Sequence, residues 1–233
     1  MCLGIKLAPS YSMILHVSDF HCNERWFRWL LGSSHRYSLV CITGDLLDLN
    51  PYLPLDRQVD RVIPFLREMD TPLAVVSGNH DSAPGAGSRL EHAQWLGEVR
   101  GDHTWIDGDT FEHDGFLFRC LPWSGTLPIA GANEVWLHHA PPGQTMTAIS
   151  RVGCDFGDFN LGEQVRAGQG PNLVLCGHVH EPARSSTCVG GSWSLNPGFV
   201  AKATVPSYFE IDLIEGIAEH HYALGKSKVV RLW

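Results

Sequence analysis

The sequence predicts an α/β fold of two mixed β-sheets packed as a sandwich and flanked by helices. Three observations carry this. Apolar strand-like runs alternate with helical stretches as far as residue 96. After residue 104 the chain turns mostly to β character. No shift in composition marks a boundary between separate domains. A chain of 233 residues can bury a substantial core without staples. The expected organisation is a leader over 1–12 and one domain over 13–233.

Met13 to Val17 reads as a buried strand, ending in Ser18-Asp19-Phe20-His21. Asn23 can cap a following helix, with Phe27, Leu30 and Leu31 at helical spacing and Gly32 as its stop. Leu39 to Thr43 is a second strand, running out into Gly44-Asp45-Leu46-Leu47-Asp48. Asp56 opens a helix on which Val59, Val62, Ile63 and Leu66 share a face; Pro64 should kink or break it. Leu73 to Val76 is a third strand, closing on Ser77-Gly78-Asn79-His80-Asp81. Residues 82–87 form a Gly/Pro-rich loop, and Ser88 to Leu96 a short helix.

Between Thr104 and Trp123 the Asp-Gly pairs at 107–108 and 114–115 predict hairpin turns. Glu134 to Leu137 is a strand ending in His138-His139. Leu161 to Ala167 is a helix, and Leu173 to Cys176 a strand ending in Gly177-His178-Val179-His180. Further strands are expected at 185–189, 192–195, 208–213 and 217–224.

Net charge is −8 with histidine neutral, which argues against a broad basic face for duplex nucleic acid. It leaves anionic substrates open, because bound cations reverse the field locally. Seven cysteines, odd in number and widely spaced with no CxxC, predict reduced thiols and a cytoplasmic protein. No apolar run approaches a membrane span.

The strand ends repeat one layout: an apolar run, then Asp, Asn or His. Asp19 and His21 are two apart, as are His178 and His180, so in extended chain each pair shares a face. Carboxylate, imidazole and amide oxygen suit manganese, iron, zinc, nickel or cobalt better than a thiolate zinc site. Seven ligands exceed the needs of one catalytic ion and suit two ions sharing a bridging carboxylate. Two such ions would supply Lewis acidity and an activated water at neutral pH.

The series DxH (Asp19, His21), GDxxD (Gly44, Asp45, Asp48), GNHD (Gly78 to Asp81), the HH pair at 138–139 and GHxH (Gly177 to His180) resembles the calcineurin-like metallophosphoesterase superfamily. Five blocks in family order are specific where each alone is weak. Asn196-Pro197-Gly198 resembles the turn that follows the family's last ligand. The resemblance implies one ion on Asp19, His21 and His180, another on Asn79, His138 and His178, and Asp45 between them. It takes the first histidine of the pair as the ligand and leaves His139 behind it. It implies two divalent ions with manganese the first choice, His80 as the catalytic histidine oriented by Asp48, and Asp81 as a loop anchor.

Plainer readings stand beside these. Asp48 could be a turn cap, and His16 a satisfied core residue. Trp123 could stack on a base or sugar at the pocket rim, with Asn79 and His80 also touching substrate; loop packing is its plain alternative. The expected function is hydrolysis of a phosphodiester or phosphomonoester of a small molecule, with nucleotides the leading class and no membrane partner. Leu49 after Asp48, where the protein Ser/Thr phosphatases carry arginine, disfavours that branch. A DNA repair-type nuclease is the alternative, opposed by the short chain and the negative charge. A non-enzymatic scaffold on the same fold is the alternative from another class, opposed by the filled ligand positions and His80.

Overall fold

Alternation along the strands builds the architecture. The computed structural model describes residues 12–49, 52–83 and 89–233. The first sheet has seven strands: β1 (Met13–Val17), β2 (Leu39–Thr43), β3 (Leu73–Val76), β4 (Thr104–Trp105), β11 (Tyr208–Asp212), β12 (Ile217–His221) and β13 (Ser227–Arg231). Their order is β13-β12-β11-β1-β2-β3-β4, parallel from β1 to β4 and antiparallel beyond β1. The second has six: β5 (Thr110–His113), β6 (Phe116–Cys120), β7 (Glu134–Leu137), β8 (Leu173–Leu175), β9 (Ser186–Val189) and β10 (Ser192–Leu195). They run β5-β6-β7-β8-β10-β9, with β6, β7, β8 and β10 parallel.

Successive side chains on each central strand serve different layers, because the strand period is two. Leu39, Cys41, Ala74 and Val76 meet Val135, Leu137, Leu173 and Leu175 between the sheets. Val40, Ile42, Leu73 and Val75 point the other way, onto α1 (Glu24–Ser34) and α2 (Leu55–Arg67). Trp136 and Val174 point outward from the second sheet, onto Leu161 and Val165 of α3 (Phe159–Arg166). The order of layers is helix, sheet, sheet, helix. Parallel strands from both sheets therefore deliver their C-terminal loops to one edge of the sandwich, where α/β folds place their ligands.

Most expected elements are present, with instructive departures. Asn23 caps α1, its side chain accepting from Arg25 N–H at 3.2 Å. Gly32 does not stop α1, which runs on to Ser34. Pro64 does not break α2, which continues to Arg67; the proline sits on the exposed face, where its missing N–H leaves no buried carbonyl stranded. The Asp114-Gly115 pair is a hairpin turn with both φ positive, joining β5 to β6. Asp107-Gly108 is not: β4 belongs to the first sheet, so this turn carries the chain across to the second. In place of a helix from Ser88, residues Glu91–Val99 form a 3₁₀ segment with His92 and Ala93 left-handed. Strand β13 was not expected, since its residues are mostly exposed and carry little alternation. The leader up to residue 11 and most of the 82–87 loop lie outside the described residues.

Across the first sheet, His220, Phe209 and His16 stack in register, with centroids 4.4 and 6.1 Å apart. His16 Nε2 meets Thr43 Oγ1 at 2.9 Å, and His220 Nε2 donates to the Pro197 carbonyl at 3.0 Å. Burial pushes the pKa of His16 down to about 3, helped by nearby His220; burial likewise takes His220 to about 4. Both rings stay neutral in the folded protein, whereas the unfolded chain protonates them near 6.5. Acidification therefore favours the unfolded chain. The stability is intact above pH 6.5 and falls below it, by about 2 kcal/mol per ring at pH 5. Urea denaturation of chelator-treated protein at pH 7.5 and pH 5 checks this, and the drop should shrink by about 2 kcal/mol in His16→Gln.

Candidate metal centre

Two buried carboxylates organise the loop edge. Asp19 and Asp45 are 0% and 1% exposed, and burial without a positive partner is costly for an ionised group. The loops that hold them are tied together. Asp19 N–H donates to the Gly44 carbonyl at 3.1 Å, and His21 N–H to the Asp45 carbonyl at 2.9 Å. Asp19, His21, Asp45 and His178 all have positive φ, between 45° and 66°. Non-glycine residues seldom adopt this region, and such strain gathers at functional sites. Two glycines permit the close approach: a side chain on Gly78 would collide with Asp45, and one on Gly177 with Ser18 and Asp19.

The side chains converge in two groups that share Asp45. Asp19, His21, Asp45 and His180 bring one ligand atom each within 4.8 Å of the others, and Asp45, His139 and His178 do the same. Asp45 Oδ2 lies 3.2 Å from His139 Nε2, 3.8 Å from His80 Nε2 and 4.0 Å from His21 Nε2. Its Oδ1 accepts from His80 N–H at 2.9 Å. Asp19 receives the His178 N–H on its two oxygens, each at 3.2 Å.

His139, not His138, belongs to this cluster. The expectation takes His138 as the ligand, whereas the alternation of β7 brings His139 beside Asp45. Val135 and Leu137 face the opposite sheet, and His139 follows them; Trp136 faces α3, and His138 follows it. His138 Nε2 lies 3.3 Å from Asp158 Oδ2, the N-cap of α3. His139 Nδ1–H donates to the Thr43 carbonyl at 2.6 Å, which turns Nε2 toward Asp45. The strand's period of two pairs His139 with Leu137, but which face of β7 meets the other sheet is set by the fold.

The donor set fits cations. Asn79 Oδ1 and His139 Nε2 are buried with no hydrogen-bond partner. His21 Nε2 and His180 Nε2 face each other at 3.0 Å, both within 4 Å of Asp19 Oδ1. Burial lowers the pKa of His21, and it lowers that of His178 to about 4, so both rings are neutral, as ligands must be. Burial alone would lower His139 as well, but Asp45 beside it prevails and raises it to about 9. The same contact holds the Asp45 carboxyl far below the ordinary range against its own burial. The field at this point calls for positive charge.

The surrounding residues brace the cluster. Asp81 is fully buried and accepts from Leu47 N–H at 2.9 Å and Gly78 N–H at 2.7 Å, joining the β2 and β3 loops. Asp48 is brought within 4.8 Å of His80 and His21. Its backbone is pinned by Gln58, a fully buried residue of α2 that sequence reasoning passed over; the amide bonds both Asp48 N–H and its carbonyl, at 2.7 and 2.6 Å. Phe199 packs on His21 and His180, with centroids at 4.9 and 4.5 Å. Trp123 lies over the other group, 5.6 Å from His139 and 5.2 Å from His178. Cys22 packs against the core, away from the cluster. A cavity of about 370 Å³ opens on Asp45, Asn79, His80, His178 and His180.

Asn196 holds the loop that carries His178 and His180. Its Nδ2 donates to the carbonyls of Gly177 at 2.8 Å and Val179 at 3.1 Å, while its Oδ1 accepts from Gly198 N–H at 2.8 Å. Asn196→Ala should weaken Mn²⁺ binding about 10–100-fold by freeing His178 and His180, measured by titration calorimetry. Unchanged affinity would reduce Asn196 to a turn residue.

A family model for calcineurin-like phosphoesterases matches residues 12–182, a stretch that takes in every residue of the cluster. No curated protein is similar enough to count as a match. Among solved structures, an archaeal phosphodiesterase is 17% identical with a TM-score of 0.53, over 94% of this chain and 98% of that one. The TT1561 protein of Thermus thermophilus is 16% identical with a TM-score of 0.55, over 95% of this chain and 99% of that one. These two likenesses speak for the fold. The family match speaks for more, because the cluster has the donor chemistry that a dinuclear metal-dependent family requires. The chain belongs to the calcineurin-like phosphoesterase family, hydrolases that act on phosphoric ester bonds.

Proposed function

We propose that this protein hydrolyses a small phosphate ester, with phosphodiesters of nucleotides the leading class, at a dinuclear centre bridged by Asp45. The observation that carries the reading is the sharing of Asp45 between two ligand groups. Asp19, His21 and His180 would hold one ion and Asn79, His139 and His178 the other. Two divalent ions there would supply Lewis acidity and an activated water at neutral pH. Oxygen and imidazole donors without thiolate favour manganese, with iron, zinc, nickel and cobalt as alternatives.

The chain's own residues orient and protonate. His80 lines the cavity, its backbone N–H anchored on Asp45 and its ring 3.8 Å from the same carboxylate. From there it can give a proton to the departing ester oxygen, a role worth about 10²–10⁴-fold in rate. Asp48, held in place by Gln58, lies near enough to steer the ring. Trp123 offers a face for a base or sugar beside a second small cavity lined by Asn79 and Ser82. The cavity over the cluster, about 370 Å³, matches a small ligand rather than a duplex.

A cytoplasmic location fits six unpaired cysteines among the described residues, three of them buried. Among the described residues no helix is long and apolar enough to cross a membrane.

Hydrolysis of bis-p-nitrophenyl phosphate by Mn²⁺-loaded protein tests the reading, and inert loaded protein would sink it. Asp45→Asn should lose both ions, read by elemental analysis after dialysis; full metal content would remove Asp45 from the bridge. His80→Ala should keep both ions and lose about 10²–10⁴-fold in kcat, most for poor leaving groups. Equal loss for good and poor leaving groups would deny it the proton.

A further inference from the structure

Beyond His180 lies another cavity, of about 310 Å³, near the lower end for small-ligand pockets. His180 and Glu181 line both this cavity and the one over the metal cluster, so the two are neighbours across a shared wall. Phe199, packed on His180, forms part of the same wall.

Three features of the lining do not follow from folding alone. The first is a bare acceptor. His220 is 1% exposed, its Nε2–H is committed to the Pro197 carbonyl, and its Nδ1 has no hydrogen-bond partner. A neutral imidazole with Nε2 protonated presents Nδ1 as an acceptor, and a buried acceptor left unmet is costly. The second is charge. Arg151 and Arg184 stand on neighbouring segments that bridge between Ser150 and Pro182, and neither guanidinium has an ion-pair partner among the described residues. Glu181 is the lining's one carboxylate, so the cavity is net positive in a protein of charge −8. The third is an aromatic surface. Tyr222 is 37% exposed and meets the His220 ring at 4.0 Å, with Phe199 also in the lining.

Resting on the function proposed above, we infer that this cavity receives the leaving portion of the ester and selects a nucleoside phosphate, a planar ring that carries an anionic group. The ring packs on Tyr222, and the arginines take the anion bidentately. A diester with a nucleotide on its departing side would then place its phosphorus at the metal cluster and its leaving nucleotide beyond His180.

Adenosine 5′-monophosphate is the probe, titrated calorimetrically into chelator-treated protein so that neither catalysis nor metal contributes. One equivalent should bind, about tenfold tighter than inorganic phosphate, and Arg184→Ala and Tyr222→Ala should each weaken it about tenfold. No saturable binding, or affinities that both variants leave within about twofold, would overturn the inference. In the Mn²⁺-loaded protein the same nucleotide should inhibit bis-p-nitrophenyl phosphate hydrolysis competitively, with an inhibition constant about tenfold weaker in Arg184→Ala. Inhibition unaffected by that substitution would place the nucleotide elsewhere and also overturn it. The two readings fail separately: turnover without nucleotide binding removes the cavity's role alone, and nucleotide binding without turnover removes the proposed reaction alone.

Discussion

Asp45 sits 1% exposed where the two sheets meet, one oxygen held by the His80 backbone and the other within 4.0 Å of three imidazoles. A carboxylate so placed cannot be satisfied by water, and much of the loop edge is shaped by that constraint. Gly78 lacks a side chain because Asp45 occupies its space. The β1 loop bonds to the β2 loop beside Asp45, and Asp81 ties the β2 loop to the β3 loop. The second sheet contributes through His139, whose Nδ1–H is fixed on Thr43 of the first. A single negative charge thereby couples four strand ends from two sheets.

The sandwich explains how such a site survives in a protein of ordinary composition. Helices cover the outer faces, and the inter-sheet layer is apolar up to its loop edge. The polar side chains of the cluster sit on residues just past the strand ends, where loop backbone can turn into left-handed conformations. The His220, Phe209, His16 row lies buried across the first sheet. His220 also lines the cavity beyond His180.

Legibility followed periodicity. Strands β1, β2, β3 and β7 were readable because each is a short apolar run closed by Gly, Asp, Asn or His. Helix α2 was readable from its apolar face, though Pro64 suggested a break that exposure made unnecessary. Strand β13 was invisible because four of its five residues face solvent. The Asp107-Gly108 turn was misread because a turn's dipeptide reports local geometry; which sheet each flanking strand joins is a long-range matter.

The sequence by itself determined the fold class and the chemical inventory of the site: which strand ends carry carboxylate, amide or imidazole, and in what order. It did so because strand period and ligand type are local properties of the chain. Only the tertiary structure decided which of two adjacent histidines joins Asp45, that Gln58 holds Asp48, and that Phe199 buttresses His21 and His180. Those outcomes depend on the face each strand turns to its neighbour and on contacts between residues far apart in sequence. The cavity lined by Arg151, Arg184, His220 and Tyr222 belongs to the same class, since segments around 150, 180, 200 and 220 meet only when the two sheets close.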